Sequence, residues 1–376
     1  MKSYFLFGGT VLALVLPTHG RLRAEEAAPP SDENAALPAA PAVMPADAAN
    51  EHGIELSGFI DVFHGLDLHR GPDGRRAWLL FNHARDDGFG VNLALIRAAW
   101  NHPDVRAAVG LMAGTYVEDN LAAEPPALRH IWEATAGFRL MSNVWVDAGI
   151  FESHIGYESA VSTRNPTLTR SLAAENSPYY LAGARIEAPL GPTWTAKLLV
   201  TNGWQNIAER GGNRSPGFGT QLVHETPTGF EFNWATFISD ETNEAGGGLR
   251  LFNSNYIGWR TADVWLVANL DVGVERHDDG WSPWAAGYAI GRFRLVGPLH
   301  TALRAEFIAD PNGVVAGASD GGAILGAASI GFDVEVLEKA MVRTELRWLT
   351  ASRRIIDFDD TKWQLGWTTS FAIEFP

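Results

Sequence analysis

Lys362 to Phe375 reads K-W-Q-L-G-W-T-T-S-F-A-I-E-F. The odd-numbered positions from Trp363 through Leu365, Trp367, Thr369, Phe371 and Ile373 to Phe375 form an apolar row. The even-numbered ones (Gln364, Gly366, Thr368, Ser370, Ala372, Glu374) are polar or small. Successive strand side chains point to opposite faces, so period-two alternation over this length is a strand signal. Strands of soluble proteins mostly run about 5 to 6 residues, whereas a tilted strand crossing a bilayer needs about 9 to 11. From Trp363 to Phe375 the chain advances about 40 Å at ~3.3 Å per residue, or about 28 Å along the membrane normal at about 45° tilt. That rise matches an apolar band roughly 25 Å tall between two aromatic girdles. The stretch is therefore expected to be the closing strand of a transmembrane barrel, its odd row toward lipid and its even row toward the lumen.

Composition agrees. The 376 residues include 39 Gly, 14 Trp and 19 Phe, with only 19% charged residues, a balance that suits many strands, many turns and many interfacial anchors. There is no cysteine, which removes disulfides, thiolate metal sites, cysteine nucleophiles and a lipidated N-terminus. A formal charge of −15 without a basic run argues against non-specific nucleic-acid binding, and no nucleic-acid partner is expected.

Lys2, the apolar run Tyr4 to Leu16 and the small-residue exit at Thr18-His19-Gly20 form a signal-peptide pattern over residues 1–20, with cleavage after Gly20 or, as the alternative, after Ala24. The apolar run is short of the roughly 20 residues a spanning helix needs, and no later segment reaches 18. If the chain spans a membrane, only a closed barrel remains. Residues 21–52, rich in Ala and Pro, read as an extended or disordered periplasmic linker. The barrel should occupy 53–376.

From Ile54 the alternation repeats. Candidate strands lie at 54–63, 89–100, 105–111, 127–140, 144–153, 179–189, 193–203, 217–226, 229–239, 249–260, 263–274, 284–296, 299–310, 322–336, 340–351 and 362–375. The expected fold is an all-β, antiparallel up-and-down barrel of about 16 strands (about 14 to 18). Connections alternate strictly in length. Short ones sit near Asn101, Ser142, Gly191 to Pro192, Pro227 to Gly229, Thr261 to Ala262, Gly297 to Pro298 and Leu337 to Lys339, and long polar ones include 64–87, 116–126, 154–178, 204–216 and 311–321. Short periplasmic turns and long extracellular loops are the outer-membrane pattern, and about 16 strands leave a water-accessible lumen.

Charge falls on single rows. Arg129, Glu133 and Arg139 oppose Trp132, Ala134, Ala136, Phe138 and Leu140. Arg304 and Glu306 oppose Leu303, Ala305 and Phe307, and Arg343, Glu345 and Arg347 oppose Val342, Thr344, Leu346 and Trp348. Arg185, Glu187 and Lys197 follow the same rule. A charge at the midplane of the lipid face costs roughly 2 to 4 kcal/mol, so these residues are assigned to the lumen, together with Asp61, Arg106, Asp147 and Glu231. They either form a structural ion-pair network or set a field that selects solutes. The connection 154–178 carries Glu158, Arg164, Arg170 and Glu175, and is the candidate for a loop folded into the channel, the alternative being a surface loop. Trp194, Trp234, Trp348, Trp363 and Phe375 are the expected aromatic girdle.

At this loop the sequence resembles a known family. G-I-F-E-S-H-I-G-Y-E at Gly149 to Glu158, N-P-T-L-T-R-S at Asn165 to Ser171, S-P-Y-Y-L-A-G-A-R at Ser177 to Arg185, T-N-G-W at Thr201 to Trp204 and R-A-E-F-I-A-D at Arg304 to Asp310 resemble the OmpL-like β-barrel porins of bacterial outer membranes, from about residue 53 to the end. The resemblance implies a porin without catalytic residues or cofactors. One departure is Pro376 after Phe375, where outer-membrane barrels usually end on an aromatic residue read by the insertion machinery.

Other chemistry finds little support. The 11 histidines show no metal-ligand spacing, and Glu152-Ser153-His154 lacks the G-x-S-x-G turn of a hydrolase. Asp278 to Trp281 and Asp359-Asp360 are at most weak cation sites. The expected function is passive diffusion of small hydrophilic solutes through a charged, water-filled lumen in a Gram-negative outer membrane. Lipid, lipopolysaccharide and the barrel insertion machinery are the other expected partners, and the small outward rows (Ala182, Ala184, Gly287, Ala289, Gly291) suit a homotrimer. A closed structural or adhesive barrel, sealed by bulky inward layers or a plug, is the alternative, and a barrel lipase the third reading.

Overall fold

A computed structural model describes residues 53–69, 74–77, 79–86, 88–208, 215–241, 248–278, 280–316, 321–353 and 361–375. The expected signal segment and linker, Asp359-Asp360 and Pro376 lie outside the described residues.

Sixteen strands form the wall. The first eight are β1 (Ile54–Asp67), β2 (Phe89–Asn101), β3 (Val105–Ala113), β4 (Ile131–Met141), β5 (Val144–Glu152), β6 (Tyr180–Pro189), β7 (Trp194–Thr201) and β8 (Gly217–Glu225). The second eight are β9 (Phe230–Asp240), β10 (Leu249–Arg260), β11 (Val264–His277), β12 (Gly280–Val296), β13 (Leu299–Asp310), β14 (Ala323–Leu337), β15 (Ala340–Ala351) and β16 (Trp363–Phe375). Each pairs antiparallel with its neighbour in sequence, and β16 returns to β1 with Ile373 opposite Ile60 and Ser370 opposite Phe63. The sheet is thus closed without a free edge, so every strand's backbone polar groups find partners within the wall, the condition for crossing lipid.

Side-chain alternation sorts the two faces. On β16, Gln364, Thr368, Ser370 and Ala372 are buried inside while Trp363, Trp367, Phe371 and Phe375 are exposed outside. The outer surface of the whole barrel is a continuous display of Leu, Ile, Val, Phe and Trp, far beyond the apolar patch a soluble monomer carries. Among the described residues no helix is long and apolar enough to cross a membrane, so the strands do the crossing.

Tight turns close one end. Ser142–Asn143 joins β4 to β5 with Asn143 at φ 62°, and Gly297–Pro298 joins β12 to β13 with Gly297 at φ 52°; both turns need the left-handed region that Asn and Gly tolerate. The other end carries the long connections, here L1 (68–88), L2 (114–130), L3 (153–179), L4 (202–216) and L7 (311–322). One connection departs from the expected alternation. β11 and β12 run on to His277 and Gly280, so Trp281 is a strand residue facing outward and no long connection separates these two strands.

Two further expectations are corrected. β4 begins at Ile131, because Pro125 and Pro126 hold the preceding segment in turns. Trp132 does not join the outward row of β4. The register slips between Gly110 and Leu111 opposite it, and this bulge turns Trp132 inward, where it is 9% exposed among Phe59, Leu93, Leu95 and Met112.

Candidate functional site

The lumen is occupied by its own loops. L3 leaves β5, holds a 3₁₀ turn at Ser162–Arg164 and a helical turn α2 (Leu172–Glu175), and crosses to the far wall. Arg343 of β15 donates to the carbonyls of Ser162 and Asn165, and Arg304 of β13 to the carbonyl and hydroxyl of Thr169. In return the Thr169 N–H donates to Glu345 at 2.7 Å and the Leu172 N–H to Glu306 at 2.6 Å. The Ser162 hydroxyl donates to Asp61 of β1 at 2.8 Å, and Arg164 pairs with Glu374 of β16 at 2.7 Å. The loop's polar backbone, which an apolar surround would leave unsatisfied, is matched by the charged inward rows of β1, β13, β15 and β16.

The four expected loop residues serve this arrangement differently. Glu158 accepts from the Ser171 N–H and hydroxyl. Glu175 accepts from the Phe81 N–H at 2.9 Å and the Tyr179 hydroxyl at 3.0 Å. Burial pushes both carboxyls above the ordinary glutamate value of 4.5. Arg170 lies over the Tyr179 ring at 3.4 Å and donates to the Ala174 carbonyl, a desolvated cation–π contact. Arg164 stays half-buried at its ion pair with Glu374.

L1 and L2 join L3 inside. Arg76 of L1 donates to the Thr368 hydroxyl and the Trp367 carbonyl, and His83 meets Asp61 at 2.9 Å. Helix α1 (Thr115–Asn120) of L2 buries Tyr116 and Val117. Three apolar clusters form between loops and wall. One gathers Leu79 and Leu172 with Ile308, Leu325 and Leu349; a second Val117, Leu121 and Val161 with Phe59 and Leu93; a third Ile155 with Phe151, Phe237 and Trp284. His83, Arg76 and the L1 backbone were hidden in the sequence, since a polar stretch reads the same whether it meets solvent or a polar lumen.

The expected wall residues divide in two. On β13 to β15 the charges are sealed: Arg304 meets Glu306 at 3.0 Å and Glu345 at 2.8 Å, Arg347 meets Glu306 at 2.7 Å, and Arg343 meets Asp333 at 2.9 Å. Asp333 and Arg292, which also pair at 2.9 Å, belong to this network and stand on the inward rows that alternation marks. Small residues on β14, Ala327 and Ser329, lie between β13 and β15 in the register and leave room for side chains to meet over them.

On β2 to β7 the cations keep part of their surface toward the lumen. Arg106 and Arg185 share Asp147 at 2.5 and 3.2 Å, Arg97 meets Glu133 at 2.5 Å, and Lys197 meets Glu187 at 3.3 Å. The side chains of Arg97 and Lys197 are 36% and 21% exposed, against 0% and 1% for Arg304 and Arg343. Arg139 lies inward beside Trp145, and Glu231 accepts from the Tyr256 hydroxyl at 2.5 Å. Arg129 is the exception among the expected lining residues. It lies in L2, outside β4, and donates to the carbonyls of Glu124 and Ala122.

Trp234, Trp348, Trp363 and Phe375 are exposed on the outer face, and Trp194 stacks on outward His224 at 4.3 Å. The small outward rows are partly filled from within the barrel, Gly287 being covered by Phe307 and Gly291 by Phe293. The imidazole of His154 is held through Nε2 by the Thr236 carbonyl at 2.9 Å, and the Ser153 hydroxyl accepts from the Ile155 N–H, so no serine–histidine relay forms there. Among the described residues no cluster of His, Asp and Glu has the geometry to hold a metal.

A family model described as "Putative beta-barrel porin-2, OmpL-like" matches residues 53–375. No curated protein matches the chain. Among solved structures, the chain is similar to an anion-selective porin from Comamonas acidovorans (9% identity, TM-score 0.58, covering 86% of this chain and 100% of that one). It is also similar to Salmonella typhi OmpF in complex with daunomycin (12% identity, TM-score 0.58, 86% and 98% covered) and to a trimer form of Vibrio cholerae OmpT (6% identity, TM-score 0.56, 87% and 100% covered). At such identities these likenesses concern the fold alone.

Proposed function

The chain belongs to the OmpL-like family of β-barrel porins of the bacterial outer membrane, and from that premise we propose that small hydrophilic solutes cross it along β2 to β7. One observation carries this reading: lumen-facing cations keep partial exposure on β2 to β7 and are sealed on β13 to β15. Water and ions follow the hydrated wall, because a fully paired, desolvated ion pair offers a solute nothing to exchange for its hydration. L3 acts as the constriction, with Arg164 and Glu374 at its rim, and Trp194, Trp234, Trp348, Trp363 and Phe375 anchor the barrel at the lipid interfaces. The proposal involves no catalysis. It includes assembly as a homotrimer, which the trimer form of a similar barrel supports, to be checked by the mass of the unheated complex in detergent. Purified protein in a planar bilayer should give stepwise currents smaller than those of a barrel whose L3 dock has been broken.

A second reading rests on the three apolar clusters inside the lumen. A barrel packed this way is shut until L1 or L3 moves, and would then work as a closed barrel that presents its loops to an external partner. Silent bilayers at all voltages, from protein that is folded and inserted, would favour it.

A further inference from the structure

The wall of β3 to β7 carries an unfinished charge arrangement at its short-turn end. Pairing register sets Arg139 opposite Trp145, Trp145 opposite Glu187, and Glu187 opposite Lys197, in one inward ring. The next ring holds Arg106, Gly137, Asp147 and Arg185. Gly137 lets the upper ring close, since a Cβ there would fall 2.1 Å from the Asp147 carboxylate that Arg106 grips. In these rings four cations face two carboxylates, a net of +2 on a chain whose total is −15. Arg106 and Arg185 are satisfied by Asp147, and Lys197 by Glu187.

Arg139 is not. Its guanidinium lies 5.4 Å from the centre of the Trp145 ring, which also carries Arg106 at 4.5 Å. Among the described residues it has no carboxylate within ion-pair reach, and its Nε is buried without an acceptor. A buried, charged donor without a partner is costly, and a guanidinium presents a planar fork that matches a carboxylate. Arg139 as a whole is only half-buried, and the neighbouring Arg106, Arg185 and Lys197 keep 15, 18 and 21% of their side-chain surface, so the ring is not sealed from the lumen.

We propose that this ring is a binding site for small carboxylate solutes, which take the fork of Arg139 with their apolar part against Trp145; the proposal rests on the porin reading and supplies its solute class. The two guanidiniums over one indole repel each other, and a bound anion relieves that repulsion. The site lies on the open wall, so it concentrates anionic solutes on the path already described.

The test uses the full-length protein in planar bilayers under a KCl gradient, with benzoate, acetate or phosphate added from the short-turn side. Expected results are a reversal potential on the anion side and block by benzoate stronger than by acetate or phosphate. Arg139→Gln should raise the half-blocking benzoate concentration at least tenfold, Arg139→Lys should fall between, and Arg294→Gln, at an exposed site away from the ring, should leave block unchanged. Folding of each variant is verified by the heat-modifiable gel band. Equal block in wild type and Arg139→Gln would overturn the site while leaving the porin reading intact, and preference for phosphate over both carboxylates would overturn the solute class. If wild type gives no current, the porin reading fails on its own. Calorimetric titration of benzoate into detergent-solubilised protein then decides the site: binding lost in Arg139→Gln supports it, and absence of binding overturns it.

Discussion

Replacing Arg343 by Met should release L3 without opening the barrel wall. Arg343 is 1% exposed and chelates Asp333 with Nε at 2.9 Å and Nη2 at 3.0 Å, while its remaining N–H groups hold the carbonyls of Ser162 and Asn165. Breaking a buried ion pair from one side costs about 3 to 5 kcal/mol. Asp333 keeps Arg292 at 2.9 Å, so the wall stays paired, and what docking loses is the two charge-assisted hydrogen bonds to the L3 carbonyls, at about 1.5 to 3 kcal/mol each; about 3 kcal/mol in all is roughly a hundredfold in the docking equilibrium. Met preserves much of the apolar stem, so packing is largely retained. Hydrogen exchange followed by mass spectrometry reads the result at the amides of Thr169, Ser171 and Leu172, which donate to Glu345, Glu158 and Glu306. Their protection should fall about a hundredfold, the amides of β14 and β15 should be unchanged, and the bilayer current should rise. Unaltered protection of the three loop amides would show that the arginine clamp does not hold the loop and that the apolar clusters suffice.

Three further outcomes follow from the same geometry. Gly137→Ala should destabilise the barrel by about 1 to 3 kcal/mol, the usual cost of overpacking, and weaken the Arg106–Asp147 pair, read as a lower midpoint of heat modification. Leu346→Arg puts a charge on the outward row of β15, where Leu346 is 44% exposed; it should cost about 2 to 4 kcal/mol if that face meets lipid, and an unchanged folding midpoint in bilayers would argue against this orientation. Loop docking should depend on pH. The folded pKa values of Glu158 and Glu175 lie above the ordinary 4.5, so their stabilising contribution is complete below that value and is lost as pH rises through the raised folded values. Protection of L3 should therefore be greater at low pH than at neutral pH, and Glu175→Gln should flatten the profile.

Much of the barrel was legible because lipid imposes one rule on every strand. β10, β13 and β15 begin and end where alternation places them, since a charge on the wrong row is penalised at each step. Legibility failed where one residue changed the phase. The bulge opposite Gly110 sent Trp132 inward, and a single-residue slip inverts every side chain locally. It failed again in L1, whose polar residues meet Asp61, Glu175 and Thr368 instead of solvent; nothing in composition separates those two surroundings. The inward rows themselves were readable, but pairs that span β14, such as Arg347 with Glu306, depend on a register between strands two apart and on small residues between them.

The same side chains, read from sequence, suited either a structural network or a selecting field, and burial decides between these roles. An arginine such as Arg304, with donors given to Glu306, Glu345, Thr167 and Thr169, has exchanged its hydration for fixed partners and presents little net field to a passing ion. Arg185 and Lys197, 18% and 21% exposed beside single carboxylates, keep part of their water and their field. Neutralising Arg304 should therefore change loop protection and channel size, whereas neutralising Lys197 should change ion preference with the loop still docked. The two readouts, hydrogen exchange and reversal potential, should move separately; if Lys197→Gln altered loop exchange as much as Arg304→Gln, the division of the wall into a docking half and a conducting half would be wrong.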